Sequence, residues 1–191
     1  MSLKDPQTEA EIELFVVTAQ KGDSDAFGKL YDIFVNPIYR YIYYRVGAGE
    51  AEDLAELVFL KTWENIRQYR KGESSFSSWI FRIAHNVVVD HYRAMHPSDE
   101  LSEEMEDHRK EANATATAHK RFDNELLSAA MSELKDRYRQ VLILKYINDL
   151  SNEEIGYIMG KTQAALRILQ FRALRSLKKV LERRGISELD V

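Results

Sequence analysis

Apolar residues recur at three- and four-residue spacings along most of this 191-residue chain. That spacing places them on one face of an α-helix, and no segment sustains the alternating pattern of a half-buried strand. Pro and Gly residues and one polar loop separate the helical segments. We therefore predict an all-α protein, in which Asn36-Pro37 breaks or kinks the second helix. In the first half of the chain, the predicted helices cover residues 11–19, 24–36, 38–46, 50–66 and 76–93.

The helical pattern is interrupted once, near the middle of the chain. Residues 98–118 are acidic, rich in Ala and Thr, poor in aromatic residues and without a consistent apolar face. Such a composition is typical of a flexible linker. From Lys120 onwards the helical pattern returns. We therefore predict two small helical modules, residues 1–96 and 120–191, joined by a flexible acidic linker over residues 97–119.

The composition excludes several classes of protein. The chain has no cysteine, so disulfides and thiolate metal sites are excluded. No apolar run approaches the roughly 20 residues needed to cross a bilayer, and the N-terminus lacks a hydrophobic signal segment. We therefore expect a cytoplasmic protein that does not insert into a membrane.

Charge is distributed unevenly along the chain. The formal net charge of −4 argues against a protein that binds nucleic acid unaided, because nonspecific affinity comes mainly from neutralisation of phosphates by Lys and Arg. Residues 135–184, however, contain 12 Lys and Arg against 5 Asp and Glu, whereas residues 98–125 contain 4 against 9. Basic and acidic blocks are therefore segregated.

The basic block contains the pattern of a helix-turn-helix. In L-S-N-E-E-I-G-Y-I-M-G, residues 150–160, Ser151 and Glu154 have the spacing of a capping box that starts a short helix. Gly160-Lys161-Thr162 fits a tight turn, and Thr162 can cap a second, longer helix. The apolar stripe predicted for that helix is Ala165, Leu166, Leu169, Ala173, Leu177 and Val180.

The outward side of the second helix is predicted to carry Arg167, Gln170, Phe171 and Arg172. Side chains of these types reach base edges and phosphates in a major groove. The alternative is a solvated basic helix within a bundle. A short helix, a tight turn and a basic second helix together favour DNA binding.

The helix predicted over residues 50–66 has leucines and carboxylates opposite its apolar stripe. The stripe is Ala51, Leu54, Ala55, Val58, Phe59, Thr62 and Ile66, and the opposite side carries Asp53, Leu57, Leu60 and Glu64. Leucines flanked by carboxylates on a solvent face are typical of a docking surface for another protein. Alternatively, a neighbouring helix of the same domain covers them.

The segment F-S-S-W-I-F-R-I-A-H-N-V-V-V-D-H-Y-R, residues 76–93, is predicted to be a helix with a polar outer face. Its inward residues are Ile80, Ile83, Ala84, Val87 and Val88, and its outer face stacks Arg82, Asn86, Val89 and Arg93, with His85 beside them. Trp79 lies near the first turn, after a loop that contains Tyr69, Arg70, Lys71, Ser74 and Ser75. Aromatic and cationic side chains beside an adaptable loop are suited to hold unstacked bases of a single strand.

Four motifs in this order resemble those of bacterial sigma factors of the extracytoplasmic-function group, in the sigma-70 family. They are D-A-F-G-K-L-Y, A-E-D-L-A-E-L-V-F-L-K-T-W, the segment 76–93, and L-K-D-R-Y-R-Q-V-L-I-L-K-Y-I-N-D-L-S-N-E-E-I-G-Y-I-M-G. The resemblance covers roughly residues 25–93 and 134–181. It implies that the first module is sigma region 2, that the second is sigma region 4, and that the acidic linker crosses the polymerase cleft.

The resemblance and the helical faces together give three sets of site residues. The set expected to bind the clamp helices of the polymerase β′ subunit is Asp53, Glu56, Leu57, Leu60 and Glu64. The set expected to recognise and melt the minus-ten element is Tyr69, Arg70, Lys71, Ser75, Trp79, Arg82, His85, Asn86 and Arg93. The set expected to read the minus-thirty-five element is Thr162, Arg167, Ile168, Gln170, Phe171 and Arg172. An anti-sigma factor is a further partner that the resemblance implies.

Three positions depart from the family pattern. Glu56-Leu57 replaces a more polar pair, which makes the polymerase contact more apolar or shifts it slightly. His85 stands where Arg is common, which removes a fixed positive charge at neutral pH. T-Q-A-A-L-R-I-L-Q-F-R-A replaces the commoner start of the second helix, so the promoter sequence is not inherited from a relative.

The sequence thus predicts an RNA polymerase sigma factor that directs core polymerase to specific promoters and helps to melt the minus-ten element. The alternative is a helix-turn-helix transcriptional regulator that acts without polymerase. Such a regulator would leave the leucine and carboxylate face of residues 50–66 and the Trp79 loop without a role.

Catalysis is not expected, and neither is a cofactor or a metal. The spacings of His85, His91 and His96 differ from the four-residue spacing of a helical zinc pair. His91 falls within the apolar stripe, where a core histidine is the ordinary interpretation. No phosphate-binding glycine loop or nucleophile elbow is present.

Overall fold

The computed structural model describes residues 6–95 and 126–185. Over these two ranges the chain is helical and forms no β-sheet, so the all-α prediction is confirmed. The predicted acidic linker, residues 97–119, lies outside the described residues. The module boundaries on either side of it remain predictions.

Within residues 6–95, four helices build the first module. They are α1 (Pro6–Ala19), α2 (Ser24–Val46), α3 (Ala48–Asn65) and α4 (Phe76–Met95), with a 3₁₀ turn at Ile66–Gln68 after α3. Helix α2 continues through Pro37 instead of breaking there. A proline removes one helical hydrogen bond, but the fully buried side chains of Phe34, Ile38 and Tyr41 hold both sides of it in the core.

Capping residues define the ends of α2. The Asp23 carboxylate accepts hydrogen bonds from the backbone N–H groups of Asp25 and Ala26 at 2.9 and 3.0 Å. Gly47 alone separates α2 from α3 and has a φ of 97°. This conformation favours glycine, and it allows α3 to turn back directly onto α2.

The predicted inner faces of α3 and α4 form the core of the first module. Every residue of the predicted α3 stripe is buried, and so are Ile80, Ala84, Val87 and Val88 of α4, which confirms these predictions. Ile83 is only half-buried. Phe81, which the predicted stripe omits, is fully buried because its ring packs edge-on against Tyr41 of α2 at 5.6 Å.

The second module is described over residues 126–185. It comprises α5 (residues 126–132), α6 (Asp136–Leu142), α7 (Asn152–Met159) and α8 (Gln163–Arg183). A π-helical turn, Ile143–Ile147, continues α6. Helix α8 contacts α6, and α7 contacts both α4 of the first module and α8.

Helices α7 and α8 form the predicted helix-turn-helix. Ser151 Oγ accepts from the Glu154 N–H at 3.1 Å, and the Glu154 carboxylate accepts from the Ser151 N–H at 2.9 Å, so the capping box is confirmed. Thr162 Oγ1 accepts from the Ala165 N–H at 3.3 Å and caps α8. Gly160, between the helices, has a φ of 62°.

The turn packs tightly against α7. A Cβ atom on Gly156 would lie 2.9 Å from the carbonyl oxygen of Lys161, so this position requires glycine. The predicted stripe of α8 is buried at Leu166, Leu169, Ala173 and Val180, and half-buried at Leu177. Ala165 is exposed, contrary to prediction, because it lies in the first turn of α8 beside the exposed Thr162 and Gln163.

Candidate protein and nucleic-acid interfaces

The outer face of α3 presents an uncovered apolar row. Leu57, Leu60 and Trp63 are 37%, 54% and 37% exposed, so the described helices leave part of each side chain uncovered. The Trp63 ring also packs edge-on against Phe27 of α2 at 4.9 Å. Exposed carboxylates flank this row, and we call the six residues the α3 surface: Leu57, Leu60, Trp63, Asp53, Glu56 and Glu64. Sequence reasoning missed Trp63, although its spacing of three residues from Leu60 places it on the same face.

The loop between α3 and α4 is held against α1. Gln20 Nε2 donates to the carbonyl oxygens of Ile66 and Tyr69 at 2.9 and 3.0 Å. The Tyr69 hydroxyl donates to Glu13 Oε1 at 2.8 Å, and burial together with this bond raises the pKa of Tyr69. Because Tyr69 is only 3% exposed, its ring supports the loop and offers no free face for a base.

Other predicted residues of the loop are more accessible. Arg70 and Lys71 are exposed, and Trp79 is half-buried. The Trp79 ring lies 5.6 Å from that of Tyr69 and 5.5 Å from that of Phe76, both of which are buried. Trp79 is therefore the outermost ring of an aromatic cluster that follows a loop with two exposed cations.

The outer face of α4 is divided between solvent and the second module. Asn86 and Arg93 are exposed to solvent. Arg82 is exposed as well, although its guanidinium lies 5.0 Å from the centre of the Tyr157 ring of α7 and donates to the Tyr157 carbonyl. At the start of α4, Ser75 Oγ donates to a carboxylate oxygen of α7, Glu154 Oε1, at 2.6 Å.

A buried polar cluster joins α2 and α4 to α6. Arg45, 1% exposed, donates from Nε and Nη2 to the two carboxylate oxygens of Asp136 at 3.3 and 2.7 Å. Its Nη1 donates to the Tyr41 hydroxyl at 2.8 Å. Gln140 Nε2 donates to His85 Nδ1 at 2.9 Å. We call these five residues the interface cluster.

The His85 side chain therefore faces the second module, and its imidazole ring is neutral. Two donors converge on its Nδ1, because Arg45 Nη1 also lies 3.3 Å from this atom. Nδ1 must then be the acceptor, which places the ring proton on Nε2. Burial lowers the pKa of His85 to about 4, with a further contribution from Arg45. Burial would raise the pKa of Asp136, but Arg45 and Arg139 hold it below its usual range.

The exposed outer face of α8, which we call the α8 surface, consists of Arg167, Ile168, Phe171, Arg172 and Leu174. Ile168, Phe171 and Leu174 are 54%, 67% and 43% exposed, and sequence reasoning missed Leu174. Gln170, by contrast, turns towards α7, where its Nε2 donates to Asn152 Oδ1 at 3.0 Å.

Within residues 6–95 and 126–185, no three His, Cys, Asp or Glu side chains are grouped so that they could hold a metal ion. His91 Nε2 lies 2.8 Å from Glu50 Oε2, so this histidine has a carboxylate neighbour at the edge of the core. His96 lies outside the described residues. None of the helices in the described ranges has the length and apolar character needed to span a bilayer.

Comparison with known proteins gives consistent results. Residues 30–96 match the family Sigma-70 region 2, and residues 124–177 match Sigma-70, region 4. The ECF RNA polymerase sigma factor BldN of Streptomyces coelicolor is 34% identical over 169 residues, which cover 87% of this chain and 64% of BldN. The ECF RNA polymerase sigma factor SigW of Bacillus subtilis is 30% identical over 189 residues, covering 91% of this chain and 98% of SigW.

A solved structure shares the fold. The sigma factor RpoE of Bartonella quintana, solved in complex with the anti-sigma factor NepR, has a similar structure, with a TM-score of 0.69 at 19% identity. The superposition covers 82% of this chain and 96% of that one.

Proposed function

Because the chain belongs to the extracytoplasmic-function group of the sigma-70 family, we propose that it binds core RNA polymerase, directs it to specific promoters and helps to melt the minus-ten element. The observation that carries this proposal is the uncovered apolar row of the α3 surface. A regulator that binds DNA alone has no use for such a row on a helix flanked by carboxylates, whereas a factor carried by polymerase needs a protein-binding surface.

The α3 surface is proposed to bind the clamp helices of the polymerase β′ subunit. Leu57, Leu60 and Trp63 supply apolar area at the centre, where interface residues contribute most to affinity. The carboxylates around them repel DNA and favour a basic protein partner. The α3 surface thus combines an apolar centre with a charged rim, and both are properties of a specific protein contact.

The minus-ten element is proposed to meet α4 and the loop before it. Asn86 and Arg93 are exposed on α4, and Arg70 and Lys71 are exposed in the loop that precedes Trp79. Unstacking a base costs a few kcal/mol, and stacking on an aromatic ring recovers about 1–3 kcal/mol per base. Trp79 is the accessible ring of the cluster, and the buried Tyr69 keeps the loop in place below it.

The minus-thirty-five element is proposed to bind the α8 surface. Arg167 and Arg172 can contact guanine edges or phosphates, and Ile168 and Phe171 can contact thymine methyl groups in a major groove. Thr162 caps the helix that presents them. Gln170 is engaged by α7 in this structure, so it reaches a base only if it changes its side-chain rotamer.

An anti-sigma factor is proposed as a regulatory partner. The related fold of RpoE is known in complex with one. Both the α3 surface and the α8 surface expose apolar side chains on which a protein competing with polymerase or DNA could bind. The proposed roles require no covalent chemistry from the protein.

Transcription by purified core polymerase on a genomic promoter library, with and without the full chain, tests this function. We expect start sites that depend on the chain and share sequence elements near positions −10 and −35. Tight, specific promoter binding by the chain without polymerase, combined with no chain-dependent start site, would instead support the polymerase-independent regulator.

A further inference from the structure

Helix α1 contacts the loop between α3 and α4, and it lies outside the part of the chain that matches a sigma family. The match to Sigma-70 region 2 begins at residue 30, whereas α1 ends at Ala19. Glu13 on α1 and Gln20, directly after it, make hydrogen bonds to the loop. Because these bonds join distant segments of the chain, the conformation of the loop depends on α1 as well as on its own sequence.

The loop itself is a closed turn. Gly72 at its tip has a φ of 99°, a conformation that favours glycine, and Lys71 and Ser74 pair across the tip as an isolated bridge. The Tyr69 hydroxyl donates to Glu13 Oε1 at 2.8 Å and also lies 3.1 Å from the Ser74 carbonyl oxygen. Tyr69 thus joins the two sides of the turn to each other and to α1.

Glu13 faces the loop with both of its carboxylate oxygens. Oε2 is buried and accepts no hydrogen bond from the described residues, but Lys71 Nζ lies 3.7 Å away from it. A buried carboxylate oxygen without a hydrogen bond is unfavourable for stability. A role in holding the loop at two points, Tyr69 and Lys71, accounts for a carboxylate at this position.

The loop in turn fixes the position of the ring on which a base is proposed to stack. The Tyr69 ring lies 5.6 Å from that of Trp79 and 5.4 Å from that of Phe76. Tyr69 is held at its hydroxyl by Glu13 and at its carbonyl oxygen by Gln20. A loop that is already ordered does not lose its conformational entropy again when a base binds, so this arrangement favours capture of the base.

We propose that Glu13 and Gln20 are positioning residues for promoter melting: they hold Tyr69 and the loop in the conformation that captures an unstacked minus-ten base at Trp79. This inference rests on the proposed binding of minus-ten DNA by the loop and α4. Neither Glu13 nor Gln20 needs to touch DNA, because both act through the loop. Loss of their bonds leaves polymerase binding at the α3 surface intact and lowers the fraction of promoter that is open.

The test measures melting separately from assembly, in complexes of the full chain, core polymerase and a promoter mapped by the transcription experiment. 2-Aminopurine is placed in the minus-ten element, where its fluorescence rises when the base unstacks, and reports the fraction of open promoter. The affinity of the chain for core polymerase and its thermal unfolding temperature are recorded for each variant. A role confined to stability would change the unfolding temperature and leave the open fraction of the folded chain unchanged.

Glu13→Ala removes the acceptor of the Tyr69 hydroxyl, and Tyr69→Phe removes the donor while keeping the ring. We expect each variant to lower the equilibrium between open and closed promoter about fivefold, as for the loss of one hydrogen bond, with parent-like polymerase affinity. Glu13→Gln retains an oxygen acceptor and should recover part of the loss. Glu11→Ala, at an exposed position of the same helix, is the matched control and should melt the promoter like the parent chain.

Two further variants examine the same contacts. Gln20→Ala removes the donor to the loop carbonyl oxygens and should also lower the open fraction. The combined Glu13→Ala and Tyr69→Phe variant should melt the promoter no less well than either single variant, because both changes remove the same bond. If Glu13→Ala does not fold, Tyr69→Phe and Gln20→Ala decide by the same measurement.

Parent-like open fractions in the folded variants would overturn the inference, and so would Glu13→Gln melting the promoter as poorly as Glu13→Ala. If the parent chain opens the promoter normally in that case, only the inference fails. If the parent chain opens no promoter with core polymerase, the proposed function fails and the inference falls with it.

Discussion

Helices α3 and α8 both present a row of apolar side chains to solvent, but the charges beside the two rows are opposite. On α3, Leu57, Leu60 and Trp63 are flanked by carboxylates; on α8, Ile168, Phe171 and Leu174 are flanked by arginines. Exposure of the two rows is similar, so apolar area does not distinguish their partners. Charge distinguishes them, because a polyanion such as DNA is repelled by the carboxylates beside the α3 row and attracted by the arginines beside the α8 row.

The comparison also explains why an acidic protein can work on DNA. Its basic residues are concentrated in the second module, and under the proposed function a partner bound to α3 brings that module to the promoter. Two modest contacts on one chain then act together, because the first raises the effective concentration of the second. The following predictions, ordered from the largest expected effect to the smallest, test whether the two surfaces have separate partners.

Leu57→Arg places a cation in the middle of the α3 surface and should weaken binding to core polymerase by about 2–4 kcal/mol, as expected for a central interface residue. The fold should survive, because Leu57 is partly exposed. Titration of a labelled chain with core polymerase measures the loss. Leu14→Arg, at an exposed apolar position of α1 outside the surface, is the control and should bind normally. Unchanged polymerase affinity of the Leu57 variant would contradict the proposal that the α3 surface binds polymerase.

Arg172→Ala should act on DNA and not on polymerase. We expect a loss of about 1–3 kcal/mol on a promoter that depends on its minus-thirty-five element, if Arg172 makes a bidentate base contact. Lys179→Ala, at an exposed position of α8 outside the α8 surface, is the matched control. Transcription and polymerase affinity are measured for both variants. Equal transcription by the Arg172 variant and the control would contradict the role of the α8 surface.

Low pH should weaken the contact between the two modules, because it protonates His85 of the interface cluster. His85 is neutral where α6 of the second module packs against the first, with a pKa of about 4, and its ordinary value is near 6.5. Separation of the two modules therefore takes up a proton below pH 6.5. The contribution of neutral His85 to the contact between the modules is complete above that pH and is lost as the pH falls towards 4. At pH 5 we expect this contact to weaken by about 1–2 kcal/mol.

The charged groups around His85 come from each packed helix: Arg45 from α2, Arg82 from α4 and Asp136 from α6. Asp136 stays ionised at pH 5, because its pKa is lowered. Spin labels on Lys29→Cys and Lys179→Cys, at exposed positions of α2 and α8, report the distance between the modules at pH 7.5 and pH 5. His85→Gln should abolish the difference between the two pH values, and the same distance distribution at both pH values in the parent chain would contradict the prediction.

Glu56→Gln should have the smallest effect. Removing one exposed carboxylate of the α3 surface is expected to cost less than about 1 kcal/mol of polymerase affinity. The loss should fall mainly on the association rate and diminish at high salt. Stopped-flow association at two salt concentrations measures it, with Asp32→Asn on α2 as the control. A large, salt-independent loss would show that this carboxylate is buried in a specific contact.

Local features of the fold were predictable from the sequence. The buried stripe of α3, the Ser151–Glu154 capping box and the Thr162 cap depend on residues within one helix or one turn, where periodicity and spacing are informative. The exposed faces of α3 and α8 follow from the same periodicity. Trp63 and Leu174 extend those faces and could have been found by continuing the spacing by one step.

Contacts between distant segments were not predictable from local pattern. Arg45 and Asp136 are separated by 91 positions. The side chain of an arginine near a helix end is ordinarily expected to be exposed to solvent. Tyr69 lies in a polar loop, yet it is buried, because it hydrogen-bonds to Glu13 of α1 and to Gln20, the residue that follows α1. His85 has a polar neighbourhood on its own helix, and its neutral state depends on burial between the packed helices and on Arg45 of α2.

Site-specific photocrosslinking tests most directly whether the α3 surface and the α8 surface bind different partners. Benzoylphenylalanine is placed at Leu60 or at Phe171, and each chain is irradiated in a transcribing complex of core polymerase and promoter DNA. We expect the probe at Leu60 to crosslink to a polymerase subunit and the probe at Phe171 to crosslink to DNA near position −35. Crosslinking of both probes to the same partner would contradict the account.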